Sequence, residues 1–163
     1  MKTALYILLG IAFVLCVAPL FISDSYRVER NIEINKPAAT VFKHVGDFHT
    51  WKNWSVWDKL DTAAIHEYSE TTGQMNSYHD WAGNDDMGSG RITIDSLAEN
   101  QFYGMRLDFR TPMVSTASAD FSFTETDGKT AISWVMEGKS DYFFRWFNLM
   151  MDGMVGADFQ NGL

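Results

Sequence analysis

From Ser25 onward the sequence repeatedly alternates apolar and polar residues, and this alternation constrains the fold more than any other feature. In YRVERNIEI, residues 26–34, the even positions are apolar apart from Arg30, and the odd positions are polar. A period of two predicts a β-strand with one buried face. Between residues 64 and 139, further strand-like segments are separated by short turn signals such as Asp127-Gly128. Short connections favour antiparallel neighbours, so we predict a curved antiparallel sheet of about seven strands.

The apolar face of such a sheet needs a cover, and helical segments can supply it. Residues 35–45 predict a helix that begins at Asn35, and residues 47–54 predict a second, short one. Residues 141–163 repeat apolar residues three and four apart, which predicts a long C-terminal helix capped by Asp141. This helix is apolar around most of its circumference, so we expect the domain to enclose it. The predicted fold class is therefore α+β.

The N-terminal segment is apolar enough to cross a membrane. Residues 3–22 contain no charged side chain and match the ~30 Å core of a bilayer when helical. A cleaved signal peptide is the alternative, but Pro19 follows the small residue Ala18, and a cut after Ser25 lies late. We therefore predict a single-pass membrane anchor, or else a signal peptide, in residues 1–24 and one domain in residues 25–163. Charges flank both ends, so the side of the membrane that holds the domain stays open.

Charge and cysteine content exclude several classes of function. The net charge is −8, which disfavours binding to nucleic acid. The single cysteine, Cys16, excludes an internal disulfide and a cysteine-based metal site. The four histidines are isolated in the sequence and lack metal-ligand spacing: His44, His49, His66 and His79. We expect neither a metal nor a cofactor, and the sequence does not indicate an oligomeric state.

Three of the six tryptophans fall within WKNWSVWDKLD, residues 51–61. Trp51, Trp54 and Trp57 are spaced three apart among mostly polar residues. Tryptophan is large and costly to expose, so these side chains either pack in the core or contact a ligand. The sequence leaves both interpretations open.

Three segments resemble the START-like, polyketide cyclase/dehydrase (SRPBCC) superfamily. They are residues 26–61, the hairpin YHDWAGNDDMGSGRITI with its W-x-G-N-x-x-x-G-x-G pattern, and the final GADFQNGL. The resemblance implies a helix-grip fold, in which the sheet wraps around the C-terminal helix and short helices close one end of a cavity. Two features depart from the family pattern: Val56 stands where proline is frequent, and the last helix would run beyond Leu163.

The inner faces of the predicted strands are rich in Trp, Phe, Met, Ile and Leu, a composition that suits capture of an apolar ligand. We predict a membrane-tethered domain that binds an apolar small molecule or lipid in an internal cavity. The residues expected to contact this ligand are Trp54, Trp57, His79, Trp81, Tyr103, Met105, Trp134, Phe147, Met151 and Met154. A polyketide cyclase/dehydrase-like enzyme is the alternative, and a cavity filled by the protein's own side chains is a third interpretation.

His79 is the one candidate for chemistry. In SYHDWAG the period of two places Ser77, His79 and Trp81 on the inner face. An inward histidine can orient a ligand or act as an acid–base group, although a structural role is the simpler interpretation.

Overall fold

An antiparallel sheet of seven strands forms the centre of the computed structural model, which describes the backbone of residues 2–162 and the side chains of residues 2–156. The strand order is β1-β7-β6-β5-β4-β3-β2. The strands are β1 (Ser25–Ile34), β2 (Ile65–Tyr68), β3 (Tyr78–Ala82), β4 (Ser89–Ala98), β5 (Phe102–Thr111), β6 (Ser115–Thr126) and β7 (Lys129–Lys139).

The structure confirms the predicted sheet. Alternate side chains on its inner face are buried, including Val28, Phe121 and Ile132. The predicted Asp127-Gly128 turn joins β6 to β7, and both residues have positive φ, 53° and 75°. Such a turn matches the twist of the two strands it connects.

Helical segments lie before, between and after the strands. They are α1 (Lys2–Val17) with a 3₁₀ turn (Ala18–Phe21), α2 (Ala38–Gly46), 3₁₀ turns at Phe48–Asn53, Trp57–Lys59 and Tyr142–Phe144, α3 (Arg145–Asn148) and α4 (Met151–Gly162). The apolar stretch Lys2–Phe21 is long enough to cross a membrane, and almost all of its side chains are exposed.

The core lies between the inner face of the sheet and α2 with the turn Phe48–Asn53. Phe42 stacks on Tyr103 at a ring distance of 4.0 Å and meets the edge of Phe123 at 5.5 Å. The predicted cap Asn35 is not used, because α2 begins after Pro37. The free Ala38 N–H instead donates a hydrogen bond of 2.7 Å to the Glu125 carboxylate.

The C-terminal region differs from the single enclosed helix that the periodicity predicts. It is divided into a 3₁₀ turn, α3 and α4, and the Asp141 side chain makes no capping hydrogen bond. Met151 and Val155 pack against the core, but the apolar side chains before them are largely exposed. The periodicity shows that a helix has an apolar surface, but it does not show whether protein covers that surface.

Arg30, which interrupts the inner face of β1, interacts with α4. Its guanidinium donates to Asp152 Oδ1 at 2.8 Å. A Cβ atom on Gly156 would lie 2.0 Å from Arg30 Nη2, so the arginine occupies space that the glycine leaves free.

The hairpin of β3 and β4 needs a glycine opposite Trp81. Gly90 pairs with Trp81 in the register, and a Cβ atom at residue 90 would lie 2.6 Å from the indole ring. Because the ring would have to move, Gly90→Ala is expected to lower the free energy of unfolding by about 1–3 kcal/mol.

Urea unfolding of the full chain in neutral detergent, followed by tryptophan fluorescence, measures this loss. Gly153→Ala is the matched control, because nothing lies within 4 Å of its Cβ position, and it should not destabilise. Equal effects of the two substitutions would contradict the close contact.

Candidate functional site

The hairpin of β2 and β3 places four aromatic or imidazole side chains together. Tyr68 pairs with His79 and His66 pairs with Trp81 in the register. The two rings of each strand lie two residues apart and therefore share one face. His79 is 5% exposed, which confirms its predicted inward orientation, and the other three are half-buried.

Asp58, His66 and His79 form a polar chain. His66 Nδ1 lies 2.8 Å from His79 Nε2, and His66 Nε2 lies 3.5 Å from Asp58 Oδ1. Asp58 belongs to the 3₁₀ turn Trp57–Lys59, and its side chain is only 10% exposed. The two imidazoles are suited to passing a proton across the hydrogen bond between them, and the nearby carboxylate is suited to stabilising the positive charge that results.

The neighbouring carboxylate determines which nitrogens carry protons, and we assign the tautomers from it. Asp58 favours a proton on His66 Nε2, which leaves His66 Nδ1 as an acceptor when His66 is neutral. His79 Nε2–H then donates to that nitrogen, and His79 Nδ1 carries a lone pair. His79 Nδ1 is buried and has no hydrogen-bond partner among the described residues.

His79 is neutral at pH 7. Burial lowers its pKa to about 4, and the nearby His66 adds to the lowering, against a smaller opposite effect of Asp80. Asp80 itself lies on the other face of the strand, where Arg91 and Arg110 bind its carboxylate. The buried imidazole is therefore available as a neutral hydrogen-bonding group.

Aromatic rings surround this imidazole. Tyr68 stacks on His79 at a ring distance of 4.7 Å, and His49 stacks on Tyr68 at 4.3 Å. Phe48 and Trp81 approach His79 at 6.1 and 6.0 Å. Thus three of the four histidines, which look isolated in the sequence, lie in one cluster.

The tryptophan-rich segment divides into a structural and a half-exposed part. Trp51 is buried, and its indole N–H donates to the Val45 carbonyl at 2.8 Å. Trp54 and Trp57 are half-buried and meet the ring of Trp134 edge-on at 6.0 and 5.9 Å. Trp54 Nε1 is buried and has no hydrogen-bond partner in the part of the chain that the structure describes.

The remaining residues that the sequence predicts to contact a ligand fall into two groups. Tyr103 and Met105 are buried in the core, each 1% exposed, and Met151 packs against that core. Phe147 and Met154 are 51% and 54% exposed, so the structure does not bring them to the inner face. The aromatic rings of the core contact one another. On the surface beside Trp81 there is a depression of about 210 Å³, bordered by Ile65 and Arg110.

Sequence reasoning missed Asp58, His66 and Tyr68. The period of two in residues 64–70 places His66 and Tyr68 on one face, a signal that could have joined them to His79. Asp58 carries no such signal, because its position depends on how the turn Trp57–Lys59 packs.

Comparisons with known proteins agree with this fold. A family described as polyketide cyclase/dehydrase and lipid transport matches residues 25–163. Among curated proteins, none matches the sequence.

Solved structures share the fold at low sequence identity. The di-domain aromatase/cyclase StfQ of the steffimycin biosynthetic pathway aligns with a TM-score of 0.63 at 7% identity, over 85% of this chain and 48% of that one. DynU16, from the dynemicin biosynthetic locus, gives 0.57 at 13%, over 86% and 44%. Protein CV1439 from Chromobacterium violaceum gives 0.58 at 10%, over 85% and 91%. The chain thus spans about half the length of the first two.

Proposed function

Because this chain belongs to the polyketide cyclase/dehydrase and lipid-transport family, we propose that residues 25–163 bind an apolar small molecule or lipid that carries a hydroxyl or carbonyl group. The observation that supports this proposal is His79 Nδ1, a buried nitrogen among aromatic rings with no hydrogen-bond partner among the described residues. A buried polar atom without a partner costs about 1–3 kcal/mol, and a ligand oxygen would remove that cost.

The ligand's chemistry follows from the groups around it. Neutral His79 accepts a hydrogen bond from a hydroxyl. The buried Trp54 indole N–H, beside Trp51 and Trp134, is a separate donor for a carbonyl or hydroxyl oxygen. The surrounding rings favour a flat or ring-containing apolar body. Trp54 and Trp57 are half-buried, so a ligand that approaches from the tryptophan-rich segment contacts them first.

The same proposal includes a membrane tether. Residues 2–21 are helical, uncharged after Lys2 and almost entirely exposed, as a helix that meets lipid would be. A single-pass anchor formed within residues 1–24 holds the domain close to apolar molecules dissolved in the bilayer.

Ligand binding is tested with the full chain in lipid nanodiscs and a panel of fatty acids, quinones and polycyclic phenols. A ligand that enters the site is expected to quench tryptophan fluorescence and raise the unfolding temperature. His79→Gln is expected to weaken binding of hydroxylated ligands about tenfold, the loss of one buried hydrogen bond, and to spare hydrocarbon analogues.

His44→Gln is the control, since His44 is exposed and lies outside the histidine cluster. If no compound in the panel changes fluorescence or stability, the core is filled by the protein's own side chains and the binding proposal fails.

The polar chain of Asp58, His66 and His79 favours a second candidate function, a cyclase- or dehydrase-like enzyme. His79 Nδ1 would take a proton from the substrate while its Nε2 proton passes to His66 Nδ1, and Asp58 would stabilise the imidazolium on His66. Asp58→Asn separates the two functions, because it should abolish turnover of a polyketone substrate and leave ligand binding intact.

A further inference from the structure

Residues 142–150 form an exposed apolar segment that the ligand site does not use, and we call it the collar. The segment YFFRWFNLM has one charged side chain, Arg145. Phe143 and Leu149 are 67% and 66% exposed, and Phe147 and Met150 are more than half exposed. A contiguous apolar surface of this kind marks a contact with another molecule or with a membrane.

Hydrogen bonds hold the collar at the C-terminal end of the apolar N-terminal stretch. Four of its side chains donate to backbone carbonyls there: Tyr142 to Cys16, Arg145 to Pro19 at 3.2 Å, Trp146 to Leu15 at 3.4 Å and Asn148 to Ser23 at 2.9 Å. Pro19 has no N–H, so the Leu15 carbonyl lacks its usual helical donor four residues on, and the indole of Trp146 replaces it. The collar therefore lies level with the last turns of this stretch.

Other exposed apolar residues lie at the same end of the molecule as the collar. Ser25 pairs with Lys139, and Phe109 pairs with Ser115, so the turn between β5 and β6 lies at the same end of the sheet as α1. In that turn Val114 is 83% exposed. Leu20 and Phe21, 64% and 85% exposed, add to the surface from the end of the apolar stretch.

We propose that the collar lies in the interfacial layer of the bilayer and holds the domain against the membrane surface. The inference rests on the proposed anchoring by α1. If α1 spans the bilayer, residues 15–23 mark the depth at which Tyr and Trp concentrate in membrane proteins. The chain is acidic and the collar has one cation, so apolar insertion drives the contact, and a zwitterionic lipid is sufficient.

The test uses the full chain in phosphatidylcholine vesicles whose acyl chains are brominated near the headgroup, because bromine quenches nearby tryptophan. Bromine is expected to quench the tryptophan emission of the wild-type chain more than that of Trp146→Phe, and the difference measures the quenching of Trp146. In the double variant Phe143→Ser/Phe147→Ser, this quenching of Trp146 is expected to fall by at least half. Met75→Ser is the matched control, since Met75 is 49% exposed but lies in the connection between β2 and β3, at strand ends that point away from α1.

Carbonate extraction of the same vesicles separates the two proposals. If wild type and Trp146→Phe are quenched equally and the chain resists extraction, the proposal for the collar is wrong and the proposed membrane anchor is supported. A chain that carbonate releases overturns the anchor, and the collar with it. Quenching that requires anionic lipid also overturns the inference, because it would show an electrostatic contact.

Discussion

Replacing Phe121 with alanine is expected to lower the free energy of unfolding by about 3–5 kcal/mol, as large-to-small changes in a packed core do. Phe121 is fully buried on β6. It stacks on Trp134 at 4.8 Å and meets Trp51 at 6.2 Å, so its removal leaves a cavity below the tryptophan-rich segment. Urea unfolding of the full chain in neutral detergent measures the loss.

Two variants show whether the loss comes from the cavity. Phe121→Leu keeps most of the volume and should cost about 1.5 kcal/mol or less. Ile65→Ala removes a large side chain from the exposed edge of the same sheet, 74% exposed, and should change stability by about 0.5 kcal/mol at most. A small loss for Phe121→Ala would mean that the rings above it collapse into the space.

Acidification from pH 7 to pH 5 is expected to remove about 2 kcal/mol of stability through His79 alone. The folded pKa of about 4 lies below the value of 6.5 for a free histidine. Between these values the unfolded chain binds a proton at His79 and the folded chain does not. The contribution is therefore fully present above pH 6.5 and is lost progressively as the pH falls toward 4.

The difference between wild type and His79→Gln isolates this contribution, because the carboxylates titrate in both proteins. Between pH 7 and pH 5, the free energy of unfolding of His79→Gln should fall by about 2 kcal/mol less than that of wild type. His44→Gln replaces an exposed histidine and should follow the wild-type curve. Parallel curves for wild type and His79→Gln would show that His79 is not held neutral in the folded state.

The strands could be predicted because the pleat of a sheet imposes its period directly on the sequence. The structure places β6 and β7, residues 115–126 and 129–139, on either side of the predicted Asp127-Gly128 turn, and it places Tyr103, Met105 and Trp134 on the buried face as expected. Gly90 is visible in the W-x-G-N-x-x-x-G-x-G pattern, but the pattern does not explain why glycine stands there. The explanation is the contact with Trp81, which depends on the pairing register of β3 and β4.

The histidine cluster could not be predicted in the same way. Nine residues, 69–77, connect β2 to β3, and a connection of that length does not fix the register of a hairpin. A slip of one residue would turn His66 away from His79. The structure confirms a C-terminal helix, but the enclosure predicted for residues 142–150 was wrong for a related reason: apolar spacing does not distinguish a surface that faces protein from one that faces outward.

The space shared by Arg30 and Gly156 makes the effect of one substitution depend on the other residue. Alanine in a helix is favoured over glycine by about 1 kcal/mol, so position 156 would ordinarily gain from the change. With Arg30 present, the added methyl group requires the flexible guanidinium to shift from its position beside Asp152, which offsets part of that gain. With a short residue at position 30, the same substitution stabilises α4. This is epistasis, so the stability that alanine at position 156 adds depends on which residue already stands at position 30 when the change occurs.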